Sequence, residues 1–477
     1  MFGQLWATKH PHASHTDAAG LNLIRTLGPW GLTALGIGAV IGGGIFVITG
    51  QAAADHAGPG IMLSFVLAAI CCTFCALAYA EFAAMVPVSG SAYTYTYATF
   101  GELAAWFIGW MLVLEYGVSA SAVAVSWTGY FLSLLDHFDI HLPKALVSAP
   151  LDAQLNPTGS IANLPAAAIV LLLTWVCYIG IRKSSAMNMV MVILKTSLIL
   201  LVIFAGWKYV DPSNWQPFIP ENQGPGKYGF EGVLRGAALV FFAYIGFEAV
   251  SVAAQESNKP QRDLPFGMLL SLAICTVLYI AMAAVMTGLV PYTLLGTDEP
   301  VVTAVAAHPQ LGWLRIVVEI GALIGLSSVV LVMIIGQPRI FMIMGRDGLL
   351  PPVFTKIHPT YRTPHINTVI TGIGIALLAA LFPLDVLGEL TSMGTLIAFA
   401  AVCMGVLILR RTQPNLARPF RIPFAWGICL AGVFSCMALL STMTFHNWML
   451  MGVWTGVGFL IYFGYGFRHS RLRGVKS

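Results

Sequence analysis

Three ionisable side chains lie inside long apolar stretches of the sequence, where a charge is costly. Lys195 lies near the middle of Ala186–Trp207, and Glu115 and Glu248 lie inside two other apolar stretches. Ionisable residues within such stretches are rarely kept without a partner, and they often mark ion or proton pathways. These three residues are therefore our first candidates for carrying a proton.

A glycine-rich segment lies in the first apolar stretch, Trp30–Gln51, which contains no charged residue. At about 1.5 Å per residue this stretch would make a rod of roughly 33 Å, enough to cross a hydrocarbon core about 30 Å thick. Interior glycines weaken a helix by about 1 kcal/mol each, so the run Gly42-Gly43-Gly44 predicts a break. A helix kept slim for close packing is the alternative.

A second break is predicted in the sixth apolar stretch. The segment Phe241–Ala249 places Gly246 and Glu248 near the middle of that stretch. Backbone groups freed inside a membrane need a partner other than lipid. A polar solute can be that partner, with its carboxylate at the amide end of one half-helix and its ammonium at freed carbonyls.

Composition places the chain among integral membrane proteins. Of its 477 residues, 58% are hydrophobic and 9% are charged, against roughly 25% charged in ordinary soluble domains. The eight cysteines all fall in apolar stretches, and we interpret them as small buried residues, with no metal site or disulfide framework. The first 29 residues are polar, so no cleavable signal peptide is expected.

The sequence predicts twelve transmembrane helices with both termini in the cytoplasm. Alternate threading puts 18 of the 24 Lys and Arg residues inside, five outside and Lys195 within a span, as the positive-inside rule requires. The twelve stretches are Trp30–Gln51, Ile61–Val86, Leu103–Leu134, Ile161–Ile181, Ala186–Trp207, Val233–Ala254, Met268–Val290, Ile316–Ile340, Ile366–Leu384, Leu390–Leu409, Phe424–Met443 and Met449–Phe467.

The two broken stretches are five segments apart and enter the membrane from opposite sides. This arrangement is typical of two inverted five-helix repeats with the binding site between the broken helices. The predicted units are a tail at 1–29, a first repeat at 30–207, a second repeat at 228–409, two further helices at 424–467 and a cytoplasmic tail at 468–477.

Several long motifs follow one another in a familiar order. The chain resembles the cationic amino acid transporter family of the APC (amino acid–polyamine–organocation) superfamily, in its bacterial branch. The resemblance spans roughly Leu27 to Leu409. The motifs are Gly36–Phe46, Tyr79–Tyr95, Gly109–Tyr116, Phe241–Ser251, Asn258–Pro265, Gly345–Pro351 and Glu389–Leu396.

The resemblance implies a LeuT-type fold and proton-coupled uptake of amino acids into the cell across the plasma membrane. Three positions depart from the family pattern, which usually has Thr in place of Gly43 and Asp in place of Glu248. The acidic pair common after that helix is Gln255-Glu256 here. These departures bear on substrate preference more than on the fold.

For Lys195, the resemblance implies a position facing the first and eighth helices, where sodium-coupled relatives hold a cation. Its ammonium would then bind the Gly38 carbonyl region and a hydroxyl of Ser327 or Ser328. Because burial disfavours the charged form of a lysine, the side chain is suited to exchange a proton. The alternative is a lysine that extends to the membrane surface.

The two glutamates have several interpretations. Glu115 would pair with Lys195, extend a proton path or orient a substrate amino group, or else make a structural hydrogen bond to broken backbone. Glu248 follows the second break, where we expect it first to bind unwound amides and second to take part in coupling.

The expected substrate site combines backbone and side chains. The backbone of the two breaks would bind the amino acid's carboxylate and ammonium, Phe242 resembles an aromatic lid, and Met333 would form the floor of the side-chain pocket. Ordinary core packing is the alternative for Phe242. The backbone set is Ile41, Gly42, Gly43, Gly44, Tyr244, Ile245 and Gly246.

Other functions fit the sequence less well. A membrane enzyme would need clustered histidines or carboxylates, a nutrient-sensing receptor would need a sizeable soluble domain, and a channel would need a continuous polar stripe. Symport and exchange both stay open, as do small neutral and cationic amino acids. The expected partners are the amino acid and the lipid bilayer, without nucleic acid, metal or cofactor beyond the coupling proton. A small membrane subunit, a sterol or another lipid is a further open possibility.

Overall fold

The computed structural model describes residues 5–9, 27–86, 90–152, 154, 156–180, 184–254, 257–361 and 363–471, with backbone only at 184–188. Most of the predicted N-terminal tail, the Gln255-Glu256 pair and the last six residues lie outside this part. The described residues contain helices and no β-strand; two isolated bridges join Leu27 to Ser257 and Leu151 to Pro157.

Fourteen helices are labelled here in chain order. They are α1 Pro29–Val40, α2 Ile61–Met85, α3 Ser91–Thr99, α4 Glu102–Asp136, α5 Leu164–Ile179, α6 Ser184–Trp207, α7 Gly229–Val240, α8 Pro260–Leu289, α9 Pro300–Ala306, α10 Gly312–Arg346, α11 His365–Leu381, α12 Leu384–Thr412, α13 Ala425–Leu440 and α14 Phe445–Ile461. Within α4, residues Leu114–Val118 form a π-helical turn that contains Glu115.

Hydrophobic length explains most of these helices. In the described part of the chain, eight helical segments are long and apolar enough to cross a membrane, and α1, α5, α11 and α13 are shorter apolar helices. Each of the twelve predicted stretches overlaps at least one helix, while α3 and α9 were not predicted. The prediction of a membrane protein is confirmed, and the count of twelve crossings stays a prediction.

The packing relates the first group of helices to the second. Helix α8 packs against α2, α10 packs against α4, and α11 packs against α5. In terms of the predicted segments, each of these pairs joins a segment to the one five positions later. Between these pairs, the segments around the two predicted breaks also contact each other.

Both ends of the described chain meet at one face of the bundle. At the end of α10, the backbone oxygen of Asp347 accepts a hydrogen bond from the Arg471 N–H at 3.1 Å, and its carboxylate accepts one from Lys9 Nζ at 2.8 Å. Tyr93 Oη donates to the same carboxylate at 2.8 Å. We call this end of the bundle the terminal face.

Candidate functional site

The first broken helix is interrupted after Val40. Ile41 adopts an extended conformation, with ψ of 100°, and helical structure resumes as the π segment Gly44–Ile48. The three consecutive glycines coincide with this interruption, as their low helix propensity predicts. Carbonyl oxygens at the end of α1 therefore lack the amide partners that a continuous helix would give them.

Lys195 from α6 binds those carbonyls. Its Nζ donates to the Gly38 oxygen, to the Ile41 oxygen at 3.0 Å and to Ser328 Oγ at 3.1 Å. The lysine is 1% exposed. Ser327 lies elsewhere, since its hydroxyl donates to the Leu323 oxygen at 2.7 Å. Of the two serines named from the sequence, the structure brings only Ser328 to the ammonium.

Two tyrosines satisfy further carbonyls around this break. Tyr279 Oη of α8 donates to the Val40 oxygen at 2.9 Å, and Tyr130 Oη of α4 donates to the Phe46 oxygen at 2.6 Å. Both side chains are fully buried. A buried carbonyl without a partner costs about 1–3 kcal/mol, so these tyrosines contribute to holding the interrupted helix. The sequence analysis did not identify them, because nothing local marks a tyrosine as a partner of a distant backbone.

The second broken helix is interrupted over a longer stretch. Helix α7 continues as a 3₁₀ turn, Phe241–Tyr244, and Ile245 is extended. Gly246 has φ of +119°, a conformation that side-chain-bearing residues rarely adopt. Glu248 Oε2 then accepts the Gly246 N–H at 2.9 Å, and the short helix Ala249–Val252 follows.

The two breaks touch each other. A methyl group added to Gly246 would lie 2.8 Å from the carbonyl carbon of Ala39, and one added to Gly44 would lie 2.3 Å from Cα of Ala243. Two glycines therefore allow the two backbones to approach closely. The amide end of one half-helix and the unwound carbonyl segment of the other face a common region.

Glu115 and Glu248 are buried neighbours. Their carboxyl groups interact with each other and with Tyr116. Both are 0% exposed, and neither oxygen of Glu115 nor Oε1 of Glu248 makes a hydrogen bond of good geometry. Lys195 donates instead to the first break, so the structure does not place it in an ion pair with Glu115.

The predicted backbone residues and Phe242 lie in the two breaks, and Met333 lies on α10. Phe242 is 5% exposed and Met333 is 1% exposed. Tyr244 Oη donates to the Phe65 oxygen at 3.1 Å, so its side chain points into the packing with α2. Gly42 lies against Val329, where an added methyl would be 3.2 Å away.

Gly43, where the resemblance implies a threonine, lies against a serine of α4. A Cβ added there would lie 2.8 Å from Ser126 Oγ. The serine hydroxyl of α4 therefore occupies the space where a threonine side chain at position 43 would extend. The structure places a hydroxyl at this point from another helix.

A cavity of about 490 Å³ opens on the face opposite the terminal face. It runs along the second half of the first broken helix, past Ile48 and Gln51, and along the first half of the second, past Leu239, and its wall includes Asp55 and Asp385. None of the predicted substrate residues lines it.

An ion pair in the cavity wall was missed by the sequence analysis. Arg235 of α7 donates to Glu389 of α12 and, at 3.1 Å, to the Thr442 oxygen. Arg235 is 6% exposed within α7. It lies just inside the sixth predicted apolar stretch, and Glu389 immediately precedes the tenth. These two opposite charges were the signal available in the sequence.

Comparison with known proteins gives consistent matches over nearly the whole chain. The family model for "Amino acid permease" matches residues 27–464. The chain is 47% identical to the branched-chain amino acid permease BcaP of Bacillus subtilis (strain 168), over 94% of this chain and 95% of that protein. It is 44% identical to the methylthioribose transporter of the same organism, with the same coverage. Identity is 40% to cationic amino acid transporter 9, chloroplastic, of Arabidopsis thaliana, over 84% of this chain and 69% of that one.

Proposed function

We propose that this chain, which belongs to the amino acid permease family, takes up L-amino acids through a proton-coupled, alternating-access cycle. Family membership carries the transport function, since the relatives are permeases and transporters and not enzymes. The coupling proposal rests on one observation. A buried lysine binds the carbonyl end of the first broken helix.

The fold that we propose has two inverted repeats of five helices and two further helices. The pairings α2–α8, α4–α10 and α5–α11 support it, because each joins helices five predicted segments apart. The excess of Lys and Arg on alternate loops supports a plasma-membrane orientation with both termini in the cytoplasm. In this orientation the terminal face is the cytoplasmic one.

For the substrate we propose a neutral amino acid. The carboxylate would bind at the amide end of the half-helix that begins at Gly44, and the ammonium at carbonyls of the Tyr244–Gly246 segment. The name of the 47% identical relative makes branched-chain amino acids the first candidates and alanine the second.

Proton coupling would act through Lys195. Desolvation favours the neutral amine, whereas the carbonyls of the broken helix favour the ammonium, so the charge of this side chain depends on whether the break surrounds it. Protonation would then be linked to the position of α1 and, through it, to the outward–inward equilibrium. Glu115 and Glu248 form the second candidate site, since two neighbouring carboxyl groups in a dry interior are suited to share a proton. Exchange without net proton movement is the alternative.

The test is uptake into liposomes that contain the purified protein. We expect Lys195→Ala to lose accumulation driven by an imposed pH gradient and to keep exchange of labelled for unlabelled substrate. Lys195→Arg should fail as well, because a guanidinium stays charged throughout the working pH range. Lys208→Ala is the matched control, since Lys208 follows the exposed end of the same helix.

Several outcomes would contradict this proposal. If Lys195→Ala kept undiminished pH-driven accumulation, Lys195 would not carry the coupling proton, and Glu115 and Glu248 would become the candidates. Thermal-shift measurements with leucine, alanine, lysine and methylthioribose test the substrate, because bound ligand stabilises by mass action. If an amino acid and its decarboxylated amine stabilised the protein equally, the carboxylate would not contribute to binding. The amide end of the half-helix would then not be part of the substrate site.

A further inference from the structure

The eight cysteines of the chain are all buried and free, and four of them form one cluster remote in sequence. Cys71 and Cys75 lie on α2, Cys403 lies on α12 and Cys436 lies on α13. Cys71 and Cys75 are four residues apart, so their side chains share one face of the helix. That face packs against α13, where Cys436 meets both thiols.

The sulfur atoms are spaced as ligands of one ion would be. Cys436 Sγ lies 3.7 Å from Cys71 Sγ and 3.6 Å from Cys75 Sγ, and the three sulfurs lie within 4.8 Å of one another. Cys403 Sγ lies 3.9 Å from Cys75 Sγ. With metal–sulfur bonds of about 2.3 Å, sulfurs lie about 3.8 Å apart in a tetrahedral site and about 4.0 Å apart in a trigonal one.

We propose that Cys71, Cys75 and Cys436 bind a thiophilic metal ion of the Zn²⁺, Cd²⁺ or Cu⁺ type. Sulfur-only donor sets select such soft ions. All three side chains are at most 1% exposed, which excludes competing water. From the sequence we interpreted these cysteines as small buried residues without a metal site; the proposal differs because the packing of α2 against α13 is not visible in the sequence.

A divalent ion leaves the smallest net charge on such a site. Each thiol becomes a thiolate as it binds, so binding releases three protons. Three thiolates around a divalent ion carry one net negative charge, whereas around Cu⁺ they carry two, and buried surroundings penalise an uncompensated charge. The ion would tie α2 to α13, one of the two helices outside the proposed repeats.

The experiment uses Cd²⁺ as the probe on the purified full-length protein, kept reduced with a phosphine that leaves no competing thiol. Sulfur-to-cadmium charge-transfer absorption reports thiolate binding, and elemental analysis after gel filtration gives the stoichiometry. We expect one Cd²⁺ per chain with this absorption. Cys71→Ala, Cys75→Ala and Cys436→Ala should each weaken binding by more than about tenfold.

Cys177→Ala is the matched control, because Cys177 is a buried cysteine on α5 that belongs to no thiol cluster. It should bind Cd²⁺ as the unchanged protein does. Absence of the charge-transfer absorption in the unchanged protein, or its survival in Cys436→Ala, would overturn the proposal. An equal loss in Cys177→Ala would overturn it too.

A measurement on the unchanged protein covers the case in which a variant does not fold. The folded protein, with or without Cd²⁺, is warmed slowly in the presence of an alkylating reagent, so that buried thiols react as the structure opens. Each sample is then unfolded in detergent and digested. Peptide mass spectrometry then compares the alkylation rates of Cys71, Cys75 and Cys436 with that of Cys177. We expect Cd²⁺ to slow the first three selectively, and equal rates would contradict the site.

Discussion

At the break after Val40, a lysine from another helix binds carbonyl oxygens, whereas at the break after Tyr244 a glutamate in the same segment binds an amide. The difference follows the polarity of the helix ends. A helix C-terminus exposes carbonyls and attracts cations, and an N-terminus exposes amides and attracts anions. Lys195 is at the end of α1, and Glu248 is at the start of Ala249–Val252.

The two partners also differ in how they are connected. Glu248 lies two residues from the amide that it accepts, so it moves with its own break. Lys195 lies on α6 and reaches across to α1, so its contact is made or lost when the two helices move relative to each other. Under the proposed coupling, Lys195 would act as the switch at the first break, and Glu248 would serve first as a structural partner at the second.

We expect the largest effect from Gly246→Ala, because its added methyl group disrupts the close contact between the two breaks. The added methyl would meet Ala39 at 2.8 Å, and φ of +119° is strained for alanine. Strain of this kind alone costs about 1–3 kcal/mol. We expect poor recovery of folded protein and no transport, measured by size-exclusion chromatography and uptake. Gly374→Ala on α11 is the control, since an added methyl there meets nothing within 4 Å.

The next effect separates charge from hydrogen bonding at the second break. Glu248→Gln keeps an oxygen for the Gly246 N–H, whereas Glu248→Ala leaves that buried N–H without its acceptor, at a cost of about 1–3 kcal/mol. We expect Glu248→Ala to melt several degrees below Glu248→Gln, which should stay near the unchanged protein. If both variants lost the same number of degrees in melting temperature, the negative charge of Glu248, and not its hydrogen bond, would stabilise the break. The contrast with Lys195 would then not hold.

The sequence was a good guide to those features that depend on local composition. The glycines at 42–44 and at 246 predicted both breaks, and apolar length predicted nearly every long helix. It was a poor guide to partners supplied from a distance. Tyr279, Tyr130 and the choice of Ser328 over Ser327 depend on which helices pack together, and short-range patterns carry no such information.

A moderate effect is expected from moving one hydroxyl. Gly43→Thr would place its side chain against Ser126 Oγ, 2.8 Å from the added Cβ, so the single variant should lower stability and substrate affinity. In the double variant, Ser126→Ala removes the serine hydroxyl and makes room for the threonine side chain. The number of hydroxyl groups is then the same as in the unchanged protein. We expect the double variant to recover most of the loss, which a double-mutant cycle in thermal-shift and binding measurements would detect as coupling. Additive losses would mean that the two positions do not share this space.

The smallest effect lies next to the first broken helix, where Pro300 of α9 covers Gly50. Glu299 precedes that proline, and burial raises its pKa to about 7, with Asp298 adding to the rise. A carboxyl group whose pKa is raised on folding destabilises the fold once it ionises, so the penalty grows as pH rises from the ordinary value of 4.5 toward 7 and is full above 7. We expect Glu299→Gln to raise the melting temperature by a few degrees at pH 8 and to have little effect at pH 4. Because Lys195 binds the first break from α6 and not from this segment, uptake by the variant should keep its dependence on Lys195; a change in proton coupling would show that the segment over Gly50, and not the lysine alone, controls the first break.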